Sequence, residues 1–159
     1  MQKMKVFLTI FIVFFLSPTL FAQPTEIKWL TFEQLEDSLA LKPKKVFVDF
    51  YADWCVYCKK MDEAAYKNVE VIKILTTEYY AVKMNAESRD TIIFDGQAYR
   101  NTAYGKKRNP VHEIPLLLAS REGIPFSLPA ILLFDKNFQI TKRYFEYISP
   151  KKMLNLLEN

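Results

Sequence analysis

Short apolar runs alternate with amphipathic stretches through residues 27–157, and this pattern predicts strands that alternate with helices. Two runs, residues 46–51 and 130–134, are almost continuously apolar, which is typical of strands buried on both faces of a sheet. Further strands are predicted over residues 27–30, 79–85 and 140–145. The order of the elements predicts an α/β domain in which helices flank a central mixed β-sheet.

Helix signals occupy the intervals between these strands. Thr31 and Gln34 form the pattern of a capping box, which predicts a helix that begins at residue 32 and ends before Pro43. The other helices are predicted over residues 55–66, 68–75 and 112–120 and from Ser149-Pro150 onwards.

Residues 86–123 interrupt this rhythm and form an expected insertion. Asp95-Gly96 lies between two short segments with strand character, and such a pair favours the two-residue turn of a hairpin. A polar loop over residues 100–110 then precedes the helix at 112–120. Because the hairpin is too apolar to remain free in solvent, we expect the insertion to pack on the domain. It then either shapes a docking surface or only decorates a remote part of the fold.

The first 22 residues have the layout of a secretory signal peptide. Lys3 and Lys5 precede an apolar run over residues 6–16, and Ala22 supplies a small residue before a cut. The run is shorter than the roughly 20 apolar residues of a membrane-spanning helix, and an uncleaved anchor is the alternative. We therefore expect an exported, periplasmic protein whose domain covers residues 23–159 and whose mature chain does not span the membrane.

The length of the chain indicates one domain, and its net charge bears on whether it binds a nucleic acid. Residues 23–159 suffice for one domain with its own core, and we expect a monomer. The formal net charge of +4 falls to +2 when the two charges of Lys3 and Lys5 are removed. So small a charge gives no reason to expect a nucleic acid as partner.

The chemistry is concentrated in Cys55 and Cys58, the only two cysteines of the chain. They follow the strand at residues 46–51 and open the next helix, where free backbone N–H groups and the helix dipole stabilise a thiolate. Side chains three positions apart share a helix face, so a small adjustment closes a disulfide. The spacing indicates a redox-active pair. A static disulfide and a metal site are the alternatives, although two cysteines and one histidine fall short of a four-ligand zinc site.

Three stretches of the sequence resemble the thioredoxin family. Val48-Asp49-Phe50-Tyr51-Ala52-Asp53-Trp54-Cys55, followed by Cys58-Lys59, looks like that family's central strand and active-site signature. Residues 82–85 resemble the strand that comes next in the family. Leu128-Pro129 and residues 130–134 resemble its cis-proline loop and the following strand. The resemblance implies a thioredoxin fold with an insertion, residues 86–123, before the cis-proline loop.

Within that family, the exported context and the residues between the cysteines are most similar to exported members. These include the periplasmic C-terminal domain of the transmembrane thiol-disulfide interchange protein. Tyr57 departs from the proline of cytoplasmic thioredoxins and from the histidine of strongly oxidising members.

The resemblance also implies catalytic roles. Cys55 is expected to attack a substrate disulfide and Cys58 to resolve the mixed disulfide. Asp49 interrupts an apolar strand, where a buried carboxyl group either pairs or shifts its pKa upwards, and the family implies a proton acceptor for Cys58. Lys83 is the candidate partner of Asp49, with a solvated strand lysine as the alternative.

A second group of residues is expected to bind the substrate. In the family, the loop at Leu128 and Pro129 faces the cysteines and offers backbone groups to an extended chain. Trp54 and Tyr57 would form an apolar rim around the thiols. His112, the only histidine, is given no role and is expected at a helix start or on the surface.

These observations predict an exported thiol-disulfide oxidoreductase, acting as a disulfide reductase, that needs no cofactor beyond its redox-active Cys55–Cys58 pair. Its expected partners are protein disulfide substrates and a membrane-bound electron donor. The alternatives are a dithiol oxidase or disulfide isomerase and, in another class, a non-enzymatic copper chaperone or binding module.

Overall fold

The computed structural model describes residues 24–158, so the predicted signal peptide over residues 1–22 lies outside the described residues. Five strands form one mixed sheet: β1 Trp29–Leu30, β2 Lys45–Tyr51, β3 Tyr79–Asn85, β6 Ala130–Phe134 and β7 Ile140–Tyr144. Their order across the sheet is β1-β3-β2-β6-β7. β1, β3 and β2 are parallel to one another, whereas β6 and β7 are antiparallel to their neighbours. The predicted central mixed sheet is thereby confirmed.

Helices cover both faces of this sheet, as predicted. The bounds of the helices are α1 Phe32–Leu41, α2 Val56–Glu63, α3 Val69–Glu78, α4 Glu113–Ala119 and α5 Pro150–Glu158. One face of the sheet packs against α2, α3 and α5, and the other packs against α1 and α4. Within residues 24–158, no helix combines the length and the apolar character needed to cross a bilayer.

The central strand β2 determines which side chains reach each face. Its buried side chains alternate, so Phe47 belongs to the α2 face while Val46, Val48 and Phe50 belong to the α1 face. Asp49 lies two positions after Phe47, so its side chain is on the same face of the sheet. It therefore points towards the helix that carries the cysteines.

The insertion packs on the domain, as expected. β4 Ile92–Phe94 and β5 Gln97–Tyr99 form a separate antiparallel hairpin, and Asp95 and Gly96 both take positive φ angles in its turn. Phe94 contacts the Phe32 ring of α1 edge to face, with ring centroids 5.3 Å apart. The hairpin therefore leaves the central sheet unextended and covers its α1 face.

Two predicted boundaries were wrong. The helix expected over residues 55–66 ends at Glu63, and a 3-10 turn over Ala65–Lys67 follows it. Ala64 marks the break, because its backbone N–H is shared between two carbonyl groups, those of Lys60 and Met61. The first strand is also shorter than expected and begins at Trp29.

Candidate active site

The turn between β2 and α2 brings the two cysteines together. The Cys55 N–H donates to the Ala52 carbonyl at 2.9 Å, which closes the turn, and α2 begins at the next residue. Cys55 is the N-cap of α2, and its Sγ accepts a hydrogen bond from the Cys58 N–H at 3.2 Å. The Cys55 sulfur thus occupies the position in which an unpaired helix N–H stabilises negative charge.

The cysteines form a disulfide bond with their Cα atoms 5.3 Å apart. Cys55 is 3% exposed and Cys58 is 2% exposed, so burial does not distinguish an attacking from a resolving sulfur in this oxidised state. The helix position does distinguish them, because Cys55 caps α2 while Cys58 lies inside its first turn.

The predicted substrate-binding residues lie around this disulfide. Leu128 packs against the small cluster formed by the cysteines and Ala52, and the Leu128–Pro129 peptide bond is cis. Trp54 and Tyr57 are 53% and 59% exposed on the two sides of Cys55 in sequence. The apolar rim expected from the sequence is therefore open to solvent and available for contact.

Both rim aromatics have partners that sequence reasoning did not identify. The Trp54 indole N–H donates to the Glu87 carboxylate at 2.9 Å, so the insertion holds this side chain. The Tyr57 ring lies 6.3 Å from the Tyr147 ring between centroids. Neither Glu87 nor Tyr147 carried a sequence signal, because both contacts join residues far apart in the chain.

Asp49 is fully buried beneath α2, and its carboxyl group is the most perturbed acid of the site. Burial raises its pKa to about 7, and the negative charge of Asp62 adds to this rise. The Lys83 ammonium, 3.8 Å from Oδ2, opposes the rise but is too distant for a hydrogen bond. The Tyr66 hydroxyl lowers the pKa least, and it is not within hydrogen-bond geometry of the Asp49 carboxyl group. A carboxyl group with a pKa near neutrality can both accept and release a proton.

Lys83 pairs more closely with Asp62 than with Asp49. Its ammonium forms a short ion pair with the Asp62 carboxylate, and both groups are partly exposed. Asp62 lies one helical turn after Cys58 on α2, so Lys83 links Asp49 to the helix of the cysteines. Sequence reasoning missed Asp62, although its spacing of four residues from Cys58 could have indicated it.

His112 is a buried N-cap of α4. The prediction of a helix-start histidine is correct, whereas the surface alternative is wrong because the side chain is fully buried. Nδ1 accepts from the Ile114 N–H at 3.2 Å and Nε2 lies 3.1 Å from the Asp90 carbonyl oxygen, so both ring nitrogens have partners. Among the described residues, no three His, Cys, Asp or Glu side chains gather into a group that could hold a metal ion.

A Cys-x-x-Cys disulfide at the start of a helix, above a buried carboxyl and beside a cis-proline, defines a dithiol–disulfide protein of the thioredoxin type. Residues 32–159 match the family described as the thioredoxin-like domain, and the chain belongs to that family. The predicted thioredoxin fold is thereby confirmed, and the Cys55–Cys58 disulfide is the feature on which the predicted class, a thiol-disulfide oxidoreductase, depends.

Individual relatives agree with this class. The thiol:disulfide interchange protein DsbD of Yersinia enterocolitica is 32% identical over 126 residues, which are 75% of this chain but 17% of DsbD. The chain thus spans about a sixth of the length of that relative. Among solved structures, a DsbH oxidoreductase superimposes with a TM-score of 0.60 at 14% identity, over 90% of each chain. The reduced DsbD C-terminal domain of Neisseria meningitidis gives a TM-score of 0.50 at 19% identity, over 78% of this chain and 88% of that domain.

Proposed function

We propose that this protein is an exported disulfide reductase that transfers two electrons from Cys55 and Cys58 to the disulfides of protein substrates. One observation carries the proposal: the Cys55 sulfur caps α2 and accepts the Cys58 N–H. In the reduced protein, the same N–H and the helix dipole would favour the Cys55 thiolate, which is the attacking species in disulfide exchange.

The reaction has two exchange steps. First, the Cys55 thiolate attacks one sulfur of the substrate disulfide; the Cys55–substrate bond forms, and the other substrate sulfur leaves as a thiolate. Second, the Cys58 thiolate attacks the Cys55 sulfur, which restores the Cys55–Cys58 disulfide and releases the second substrate thiolate. The substrate gains two electrons and the protein loses two, so these two steps need no cofactor beyond the cysteine pair and leave the protein oxidised.

Asp49 serves the second step. Cys58 must lose its proton before it attacks, and a buried carboxylate with a pKa of about 7 matches that task at neutral pH. Burial is the main cause of this raised pKa; Lys83 lowers it and Asp62 raises it through their charges, and we assign both as positioning residues. The substrate chain lies against a surface that is formed by Leu128, Pro129, Trp54 and Tyr57.

The cellular setting is part of the same proposal. We propose that residues 1–22 are a signal peptide that directs the chain to the periplasm. The alignment with DsbD, which is named as a thiol:disulfide interchange protein, supports this proposal. Outside the cytoplasm, the oxidised protein needs re-reduction, and we propose a membrane-bound electron donor for that step. Residues 23–159 would form the exported, monomeric domain.

Trapping of the mixed disulfide tests the order of attack. With Cys58→Ser, a disulfide-containing substrate should stay covalently bound to Cys55, and non-reducing electrophoresis should reveal the adduct. With Cys55→Ser, we expect much less adduct, at least about tenfold, since Cys58 lies inside the helix. Equal trapping by the two variants would contradict the assigned roles. Equilibration of the wild type in glutathione buffers then separates a reductase from an oxidase or isomerase by its redox potential.

A further inference from the structure

A polar groove of about 510 Å³ lies next to the proposed active site. The ends of β2 and β3 form one part of its lining and the insertion forms the other. Its charged and amide side chains are Asp53, Asn85, Glu87, Arg89, Lys107 and Arg108. The cycle proposed above makes no use of this groove.

The groove is within reach of any chain held at Cys55. Asp53, which lines it, is two residues before Cys55, so their Cα atoms are at most about 7 Å apart. Trp54 stands between them in sequence and donates its indole N–H to Glu87, another lining residue. A substrate chain whose cysteine is at Cys55 can therefore enter the groove about two to four residues away from that cysteine.

The insertion loop that forms the groove is fixed at its base. The buried Asn101 side chain donates from Nδ2 to the Ser88 carbonyl at 3.1 Å and to the Pro110 carbonyl at 3.0 Å. The His112 N–H donates to the Ala86 carbonyl at 2.8 Å, which ties the end of the loop to the end of β3. The groove is therefore preformed and needs little ordering when it binds a ligand.

The cations of the groove are not neutralised by the protein. Within residues 24–158, no carboxylate forms an ion pair with Arg89, Lys107 or Arg108. Arg89 instead lies over the Tyr104 ring, 4.2 Å from its centroid. The two lining carboxylates, Asp53 and Glu87, accept from neutral donors, the Asn85 amide and the Trp54 indole. Three exposed positive charges thus remain available to an anionic ligand.

We propose that this groove docks an acidic segment of the redox partner, close in sequence to the cysteine that reacts with Cys55. The proposal rests on the proposed disulfide exchange and adds to it the class of partner. Carboxylates of the partner would pair with Lys107 and Arg108, and Arg89 would hold a third carboxylate or a backbone carbonyl. Because these pairs are exposed, they would increase the rate of productive encounter most at low ionic strength.

Peptide substrates with matched flanks test the proposal. The test uses two short peptides, each with the same intramolecular disulfide. One has glutamates beside the disulfide and the other has glutamines at the same positions. The reduced wild-type protein should react with the acidic peptide about five to ten times faster at low salt, and the ratio should approach one at high salt. In Lys107→Glu/Arg108→Glu the ratio should fall to one or below, and Lys107→Gln/Arg108→Gln should give an intermediate ratio.

A matched control distinguishes the effect of the groove residues from the effect of the protein's net charge. Lys42 and Lys136 are exposed lysines without ion pairs among the described residues, and they precede β2 and follow β6, at the sheet end opposite the cysteines. Lys42→Glu/Lys136→Glu changes the net charge equally and should keep the full acidic preference. An equal loss in this control, or equal rates of the two peptides with the wild type, would overturn the groove assignment.

A binding measurement keeps docking separate from redox chemistry. A cysteine-free acidic peptide, titrated into the oxidised protein, should shift the amide NMR signals of residues 87–89 and 104–108. If this binding occurs while neither disulfide peptide is reduced, the proposed reductase function fails and the docking site stands. If both peptides are reduced equally and the amide signals do not move, the docking site fails and the function stands.

Discussion

At the scale of single residues, burial of the Asp49 carboxyl connects its chemistry to the stability of the fold. The folded protein holds the proton up to a pH of about 7, whereas the unfolded chain releases it near 3.8. Between these values the folded state binds more protons, so the free energy of unfolding falls as the pH rises. Asp49→Asn removes this cost and should raise the free energy of unfolding by about 2–4 kcal/mol near pH 8, with little effect near pH 4.

Urea unfolding at the two pH values, with the disulfide intact, measures this difference. Asp37→Asn on the exposed side of α1 is the matched control and should change the stability little at either pH. A gain for Asp49→Asn that is the same at both pH values would contradict a burial cost carried by the ionised carboxylate. In activity, the same variant should slow release of the mixed disulfide more than its formation.

Asp62 competes with Asp49 for the Lys83 ammonium group and thereby affects the Asp49 pKa. Its carboxylate raises the Asp49 pKa directly and also pairs with Lys83. Asp62→Asn should therefore lower the Asp49 pKa below its value of about 7, because one negative charge is lost and Lys83 can turn to Asp49. NMR titration of the Asp49 carboxyl carbon in the oxidised protein measures the change. Glu63→Gln, which affects an exposed pair with Lys67 instead, should leave this titration where it is.

From the sequence, Lys83 is a candidate partner of Asp49, with a solvated strand lysine as the alternative. β2 and β3 indeed place them in register as neighbours. Asp62 could not be assigned in the same way, since a charged residue on a helix usually faces solvent. Its role depends on the reach of the Lys83 side chain and on how α2 packs over the sheet. Both are features of the tertiary structure and cannot be predicted from local sequence patterns.

At the scale of elements, Phe94 packs the hairpin of the insertion on the domain through aromatic contacts, and Ile92 and Tyr99 of the hairpin pack against the same core. Phe94 contacts the Phe32 ring of α1 and the Phe138 ring, the latter with centroids 5.5 Å apart. Phe94→Ala should lower the free energy of unfolding by about 1–3 kcal/mol, less than full burial would give, because Phe94 is half-buried. Urea unfolding measures the loss, and hydrogen exchange should quicken in β4 and β5 more than in β2.

Ile93→Ala is the control within the same strand. Ile93 is 58% exposed on the other face of the hairpin, so its truncation should change the stability by less than about 0.5 kcal/mol. If the two variants were equally destabilised, the aromatic contacts would not be what holds the hairpin.

Most elements followed from local patterns, and the exceptions have tertiary causes. Asp95-Gly96 predicted its turn because few residue pairs accept two positive φ angles. The break at Ala64 carries no such signal, since alanine favours a helix, and the chain turns there so that Ala65 and Tyr66 enter the core. The early part of the expected first strand stays unpaired, because only Trp29 and Leu30 lie against β3.

At the scale of the whole molecule, the insertion divides into a part that builds the core and a part that does not. Ile114 and Ala119 of α4 are buried with the side chains of α1 and β2, and His112 is fully buried beside them. Residues 102–108, in contrast, form a largely exposed loop whose base is held by Asn101. The sequence boundary drawn at residues 86–123 therefore joins two segments with different roles.

Two replacements should separate these roles. A short Gly-Ser connection in place of residues 102–108 should leave cooperative unfolding intact and change its free energy by about 1 kcal/mol or less, since few buried contacts are lost. The same connection in place of residues 86–123 should abolish the cooperative transition, because removal of Ile114 alone costs about 2–5 kcal/mol, a large part of the stability of a small domain. Urea unfolding followed by circular dichroism measures both variants. A cooperative transition in the second variant would mean that the insertion is a separable decoration, and the helix α4 would then be dispensable to the core.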